Sequence, residues 1–308
     1  GVGLQLPDHR FKSDLRLFLK QREMLNYRHF SLFFANLDLA YIRRTRQMSE
    51  QAIMEGDHRY KIFNRDVIKY ISMFTMLLNH IAQGFLTNGT MVYKLMQSIG
   101  YFTAPVMIYF LVEGYYYTHS RKKYFLRLFL FAVLSEFPFC LLFGLANYGR
   151  LAFYGMNMLF TLCLCFLLIC AMENWSSNIL KAGVIIAVFF VSRYFDWPYY
   201  APLFTLLFLL ARKSGRKPML AASFAVPAVL FGVYYNIVPY ILYVGVVPPI
   251  AVLYCVMDIA AIALAGVCIM CFYNGKRIER GRTFSKWFFY LFYPVHLTVL
   301  SLLLYVRL

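Results

Sequence analysis

Six side chains that ionise or move protons stand inside otherwise apolar runs of this sequence: His80, Glu113, Arg127, Glu136, Asp258 and His296. A charged group at membrane depth costs about 2.5–3.5 kcal/mol, so such residues face the interior of a helical bundle and mark a site. An unperturbed imidazole titrates near neutral pH, can take a proton from an amine or a hydroxyl, and can have its tautomer held by a carboxylate. His80, Glu136 and His296 therefore suit general acid–base or nucleophilic chemistry, and they suit a proton relay in a transporter equally well. The plain alternative for each histidine is a hydrogen-bonded packing residue. The three residues lie on three different apolar runs, with no i,i+3 or i,i+4 pair among them, so no metal site is expected.

The surroundings of these residues decide the class of protein. Of 308 residues, 61% are hydrophobic and 15% charged, with a mean hydropathy of +0.59. Soluble domains run nearer 45–50% apolar and about 25% charged, and disordered chains are more polar still. An all-α polytopic membrane protein remains. The net charge of +17 sits in short Lys/Arg runs between apolar segments. That is a topology signal rather than a groove-tracking stripe, so no nucleic-acid partner is expected. The cysteines, among them Cys163, Cys165, Cys170, Cys268 and Cys271, lie in apolar stretches without zinc spacing and read as core residues.

Residues 1–65 form a first unit, with twelve Lys/Arg and seven Asp/Glu against nineteen and seven in all the rest. Helical spacing of Leu15, Phe18, Leu19 and Leu25, and of Phe30, Phe33, Phe34, Leu37 and Tyr41, predicts amphipathic helices. The second ends in Arg43, Arg44 and Arg46, which suits an anionic membrane surface; a soluble helical cap fits as well. From Asp66 to Leu308 the chain becomes a series of spans, each an apolar run of roughly 17–25 residues. We read nine, near 66–86, 95–117, 123–145, 156–173, 178–196, 198–212, 218–243, 250–273 and 285–306.

Loop charges orient them. The joins at 118–123, 212–217 and 274–286 are strongly basic, while those at 87–94, 146–155, 197 and 244–249 are nearly free of Lys and Arg. This alternation predicts a multi-pass membrane protein with its N-terminus and basic loops in the cytoplasm. In that topology His80 lies in the outer half of span one, Glu136 at a similar height in span three, and His296 near mid-depth in span nine, just after Pro294. Glu113 falls near the cytoplasmic end, beside Tyr115, Tyr116 and His119.

Three stretches carry a resemblance. The run Lys69-Tyr-Ile-Ser-Met-Phe-Thr-Met-Leu-Leu-Asn79-His80-Ile resembles the first-span signature of the TraX family of polytopic membrane proteins. A second set is similar to that family's longest block: Gly100-Tyr101-Phe-Thr-Ala-Pro105, Leu111-Val-Glu113-Gly114-Tyr, Lys123-Tyr-Phe-Leu-Arg127-Leu and Ser135-Glu136-Phe-Pro138. The third, from Tyr273-Asn-Gly-Lys-Arg277 to Tyr293-Pro294-Val-His296, resembles its C-terminal signature, and Asn157-Met-Leu-Phe-Thr161 a shorter motif between. The matches run in order across roughly 66–305. The family's named member acetylates the N-terminus of a conjugative pilin. More distantly the family looks like integral-membrane acyltransferases that include heparan-α-glucosaminide N-acetyltransferase. There acyl-CoA approaches from the cytoplasm and a histidine on the first core helix assists transfer.

The resemblance thus implies a membrane acyltransferase taking an acyl group, most simply acetyl from acetyl-CoA, to an amine or hydroxyl acceptor near the outer half of the membrane. His80 matches the family histidine. Glu136 would orient it, and His296, Asn157 or Tyr293 would donate to the oxyanion. A basic mouth of Arg121, Lys122, Lys123, Arg127, Lys276, Arg277, Arg280 and Arg282 suits the phosphates of CoA, although positive-inside topology alone explains most of these cations. Gly275 would let the loop around it approach a ligand closely.

Two positions depart from the family pattern. Asn79 stands where Asp is common, and Tyr101 where Arg is common. A joint replacement of a charge pair by an Asn79–Tyr101 hydrogen bond would avoid stranding one buried charge. Two other functions stay open: a proton-coupled transporter that uses His80, Glu136 and His296 as a relay, and, given the departures at Asn79 and Tyr101, a catalytically inactive scaffold that docks partners through residues 1–65.

Overall fold

A computed structural model describes residues 61–307. The amphipathic helices expected before residue 60 lie outside the described residues. Among the described residues the chain forms nine helical stretches and no strands beyond two isolated bridges. They are α1 (Arg65–Phe85), α2 (Met91–Tyr117), α3 (Arg121–Tyr148), α4 (Met158–Asn174), α5 (Asn178–Ser192), α6 (Tyr200–Ser214), α7 (Lys217–Tyr243), α8 (Pro249–Phe272) and α9 (Arg282–Arg307). The protein is an all-α polytopic membrane protein, and the nine stretches follow the nine expected spans closely.

Local chemistry sets the ends. Asn64 accepts from the backbone of Asp66 and Val67, both at 3.0 Å, and starts α1. Thr90, Ser120, Asn157 and Ser177 cap α2 to α5 in the same way. Gly149 and Gly215 close α3 and α6 at φ near +65°, where a side chain would be strained. Prolines open α7 and α8, where a missing N–H leaves no helical bond unmade. α2 turns at Tyr101–Phe102 before resuming at Thr103.

The core is built from Phe110, Tyr115, Leu142, Phe204, Phe208, Phe224 and Leu297, all essentially inaccessible. Outward-facing Leu130, Leu134, Phe137, Val229, Val252 and Leu302 leave an apolar exterior that only lipid can cover. α1 packs against α2, and α9 lies along α3 and α1. Gly100 makes the α1–α2 contact possible: a Cβ there would sit 2.2 Å from Cβ of Asn79.

α5 and α6 have 15 residues each. At 1.5 Å per residue they reach about 22 Å, short of the ~30 Å hydrocarbon core. The turn between them is therefore recessed. It is held by Met156 N to Tyr194 O and Asp196 N to Met156 O, both 2.8 Å, and by Thr161 Oγ1 donating to Asp196 O at 2.8 Å. Irregular backbone at such depth is tolerated only where it lines a cavity.

Candidate functional site

The bundle holds two large cavities, one toward each end. The end carrying Arg65, Arg121, Arg212 and Lys276 is called basic here, the other neutral. One face of α1 serves both cavities. Arg65 and Lys69 reach into the basic one, while Met76 and His80 line the neutral-end one. Lys69 and His80 are eleven residues apart, close to three full turns and about 16 Å along the axis.

The neutral-end cavity has a volume of about 460 Å³. At its inner wall, Nδ1 of His80 lies 2.8 Å from Nε2 of His296, with the rings stacked 5.0 Å apart. Nδ1 of His296 lies 2.7 Å from the Phe292 carbonyl oxygen. A carbonyl only accepts, so His296 carries its proton on Nδ1 and presents Nε2 as an acceptor. His80 must then donate from Nδ1, and its Nε2 keeps a lone pair. His80 lines the cavity and His296 stands behind it. The pair is a base with a built-in relay: a proton arriving at His80 Nε2 strengthens the bond to His296 into a charge-assisted one.

Glu136 does not orient His80, as the sequence reading had it. Its Oε2 accepts from Asn157 at 2.7 Å (Nδ2) and 3.1 Å (backbone N). His296 occupies the place expected for the carboxylate. Asn157 is fully enclosed and committed, donating to Ala132 O at 2.8 Å and accepting from Leu159 N at 2.9 Å, so it has no bond to spare for an oxyanion. Tyr293 is better placed. It lines the cavity beside His80, and its hydroxyl accepts from Met158 N at 3.3 Å, which leaves the phenolic proton to donate.

The Asn79–Tyr101 hydrogen bond is absent. Asn79 donates to Gln97 O at 2.8 Å and accepts from Gln83, while Tyr101 packs edge-on against Trp197 and Phe231. Both residues do line the cavity. Asp258, one of the six ionisable residues named above, has partners that the sequence reading did not name. Asp258, fully buried, pairs with Lys94 at 2.7 Å and accepts from Ser98 at 2.6 Å and Asn236 at 2.8 Å. The signal was present: a solitary Lys94 beside a neutral loop, and an Asp in span eight needing a partner.

Asp196 was missed as well. It lines the cavity from the recessed turn, where Trp197 and Tyr199 adopt φ of 59° and 63°. Left-handed conformations at such bulky residues cost about 1–3 kcal/mol each and persist only where neighbours over-determine them.

The basic cavity, of about 500 Å³, is lined by Arg65, Lys69, Arg127, Arg277, Arg282 and Lys286. Its one carboxylate, Asp66, is already engaged by Ile278 N at 2.9 Å and Ser285 Oγ at 2.6 Å. The Ile278 bond, with Arg65 N donating to Lys276 O at 2.9 Å, fastens the loop before α9 to α1, and the Ser285 bond fastens the start of α9 itself. Gly275 takes φ of 72° there. Nε of Arg65 and Nε of Arg127 are buried without a hydrogen-bond acceptor; Arg65 Nε has the Glu113 carboxylate 3.7 Å away, while Arg127 Nε has none among the described residues, and an anion would supply it. Of the expected cations, Arg127, Arg277 and Arg282 line this cavity; Arg121, Lys122, Lys123, Lys276 and Arg280 do not. Arg121 instead lies 4.2 Å over the ring of Tyr115. Glu113 stands apart, accepting from Tyr273 at 2.8 Å with Arg65 Nε 3.7 Å away.

The two cavities share no lining residue. Met107, Leu159 and Tyr290 line the basic one, and Ala104, Met158 and Tyr293 the other. The two linings come within one helical turn of each other on three helices, at Ala104 and Met107, Met158 and Leu159, and Tyr290 and Tyr293.

Fold and site together define a polytopic helical membrane protein with a histidine pair between a basic cavity and a neutral-end cavity. The chain belongs to the TraX family, whose sequence pattern, described as TraX protein, matches residues 64–304. It is 30% identical to the probable fimbrial assembly protein FimC, serogroup H1, of Dichelobacter nodosus over 250 residues, which cover 77% of this chain and 94% of that protein. No solved structure matches it.

Proposed function

We propose that the protein is an acyl-CoA-dependent membrane acyltransferase, transferring acetyl from acetyl-CoA on the cytoplasmic side to an amine or hydroxyl in the neutral-end cavity. The observation that carries this reading is the directional pair in which His296 fixes the His80 tautomer, leaving Nε2 with the lone pair a base needs. The nucleophile attacks the thioester carbonyl while its proton passes to His80 Nε2. Tyr293 donates to the oxyanion. As the C–S bond breaks, the proton goes to sulfur, leaving free CoA thiol and the acylated acceptor. Arg65, Lys69, Arg127, Arg277, Arg282 and Lys286 would hold the CoA phosphates, with the basic end in the cytoplasm of a bacterial inner membrane. The relative's name, a probable fimbrial assembly protein, supports work connected with a pilus.

The transfer requires the thioester arm to part the Met107–Leu159–Tyr290 layer. The same layer favours a second reading, a proton-coupled carrier, because a thin partition between two cavities suits alternating access. Thermal unfolding of the purified protein with and without CoA separates them. A ligand at one hundred times its Kd stabilises by about 2.7 kcal/mol, so saturating CoA should raise the Tm by several degrees. Failure of CoA to move the Tm, together with failure to transfer label from acetyl-CoA, would exclude the acyltransferase.

A further inference from the structure

Behind the basic cavity, α2 and the end of α8 build a seat for one arginine. Arg65 is buried and lines the cavity. Its Nη2 donates to Phe110 O at 3.1 Å, its guanidinium lies 5.3 Å over the Phe110 ring, and its Nε is 3.7 Å from Oε2 of Glu113. Among the described residues only Nη2 is hydrogen-bonded, which leaves Nη1 for a ligand. Gly114 supplies the room: a Cβ there would stand 3.2 Å from Nη2.

Glu113 is itself held. The last turn of α8, Cys268–Phe272, is wound wide, with Tyr273 N donating to Cys268 O at 3.1 Å. Wide turns of this kind recur at functional sites. From its end the Tyr273 hydroxyl donates to Oε1 of Glu113 at 2.8 Å, and the Tyr273 ring stands edge-on to Phe110 at 5.3 Å. Glu113 does not line the basic cavity; on its far side it borders a separate groove with Arg212, Arg216 and Lys217. The other charges near Arg65 do not hold it. Lys69, Arg127, Arg277, Arg282 and Lys286 line the same cavity with the same sign and push it away. Asp66 has its two oxygens engaged by Ile278 N and Ser285 Oγ. Glu113 is the carboxylate that offsets this guanidinium.

We infer that Glu113 and Gly114 are positioning residues for Arg65, and that Arg65 so held anchors the anionic group of the ligand entering the basic cavity. This deepens the acyltransferase reading, and it rests on that reading for the ligand, CoA held through its phosphates. A guanidinium already fixed on two sides gives up little freedom on meeting a phosphate, which is how a preorganised site gains affinity. The sign of the effect separates positioning from field. Glu113 is negative, so by charge alone its removal would tighten the hold on an anion. As a positioning residue, its removal weakens that hold because the guanidinium loses its seat.

Titration calorimetry of the full chain in detergent, with CoA and separately with inorganic pyrophosphate, tests this. Glu113→Gln keeps an acceptor for Tyr273 and loses the charge; it should weaken CoA binding by about three- to tenfold, the cost of immobilising one side chain. Arg65→Gln should weaken it by about tenfold or more. Adding Glu113→Gln to Arg65→Gln should bring no further loss. Tyr273→Phe alters no charge and should shift affinity in the same direction as Glu113→Gln, which covers the case in which that variant does not fold. Unchanged or tighter CoA binding in Glu113→Gln overturns the inference, and so do single losses that simply multiply in the double variant. If Arg65→Gln binds CoA as tightly as its parent, the seat fails and the acyltransferase reading stands. If the parent binds pyrophosphate but not CoA, the acyltransferase reading fails and the same variants judge the seat on pyrophosphate. Binding of neither ligand overturns both.

Discussion

Nδ1 of His80 and Nε2 of His296 are 2.8 Å apart, and the Phe292 carbonyl at the far end of the chain makes that contact one-directional. His296 lines neither cavity, so in the proposed reaction it is a positioning residue and His80 the reacting one. His80→Gln should lower kcat by about 10²–10⁴, the range of general acid–base catalysis. His296→Phe should lower kcat and leave the KM for acetyl-CoA unchanged, and His296→Gln, which restores an acceptor, should recover part of the loss. Steady-state kinetics on the three variants decide this; a KM change from His296→Phe would place that residue against substrate instead.

The partition offers a separate test. Met107→Trp adds bulk to the layer that the thioester arm must cross. Acyl transfer should fall at least tenfold while CoA still raises the Tm, because the phosphate-binding cations are untouched. Unimpaired transfer would mean that the arm crosses elsewhere.

Lys94 and Asp258 predict a coupling. Either Lys94→Met or Asp258→Leu alone strands a buried charge and should destabilise the protein by about 3–5 kcal/mol. The double variant should be the more stable of the three altered proteins, read as Tm in detergent. Additive losses would show that Ser98 and Asn236, rather than the ion pair, hold this corner together.

Gly100 predicts a packing cost. Gly100→Ala drives a methyl into Asn79, and separating α1 from α2 there should cost about 1–3 kcal/mol. A Tm within one degree or so of the parent, after about that much strain, would contradict the tight crossing.

Much of this molecule was legible in its residues. Bilayer thickness imposes a length on apolar runs, so the nine stretches follow from hydropathy and from basic loops. His80 was legible because an imidazole in such a run must have a purpose. Glu136 was misassigned because height along a helix does not say which face a side chain takes; it faces the start of α4 instead. Lys94 was hidden by its position at a helix beginning, where a single lysine passes for loop. Asp196 was invisible for a different reason. The turn that presents it needs left-handed backbone, which glycine usually announces, and here Trp197 and Tyr199 occupy those positions.

The two histidines in contact at the cavity wall are separated by 216 positions along the chain. One belongs to the earliest of the nine helices to leave the ribosome and the other to the last. A nascent chain that has inserted eight of them holds an imidazole with no neighbour to set its tautomer. In the proposed reaction, competence therefore arrives only once α9 is in place, and a product truncated before it would lack the pair.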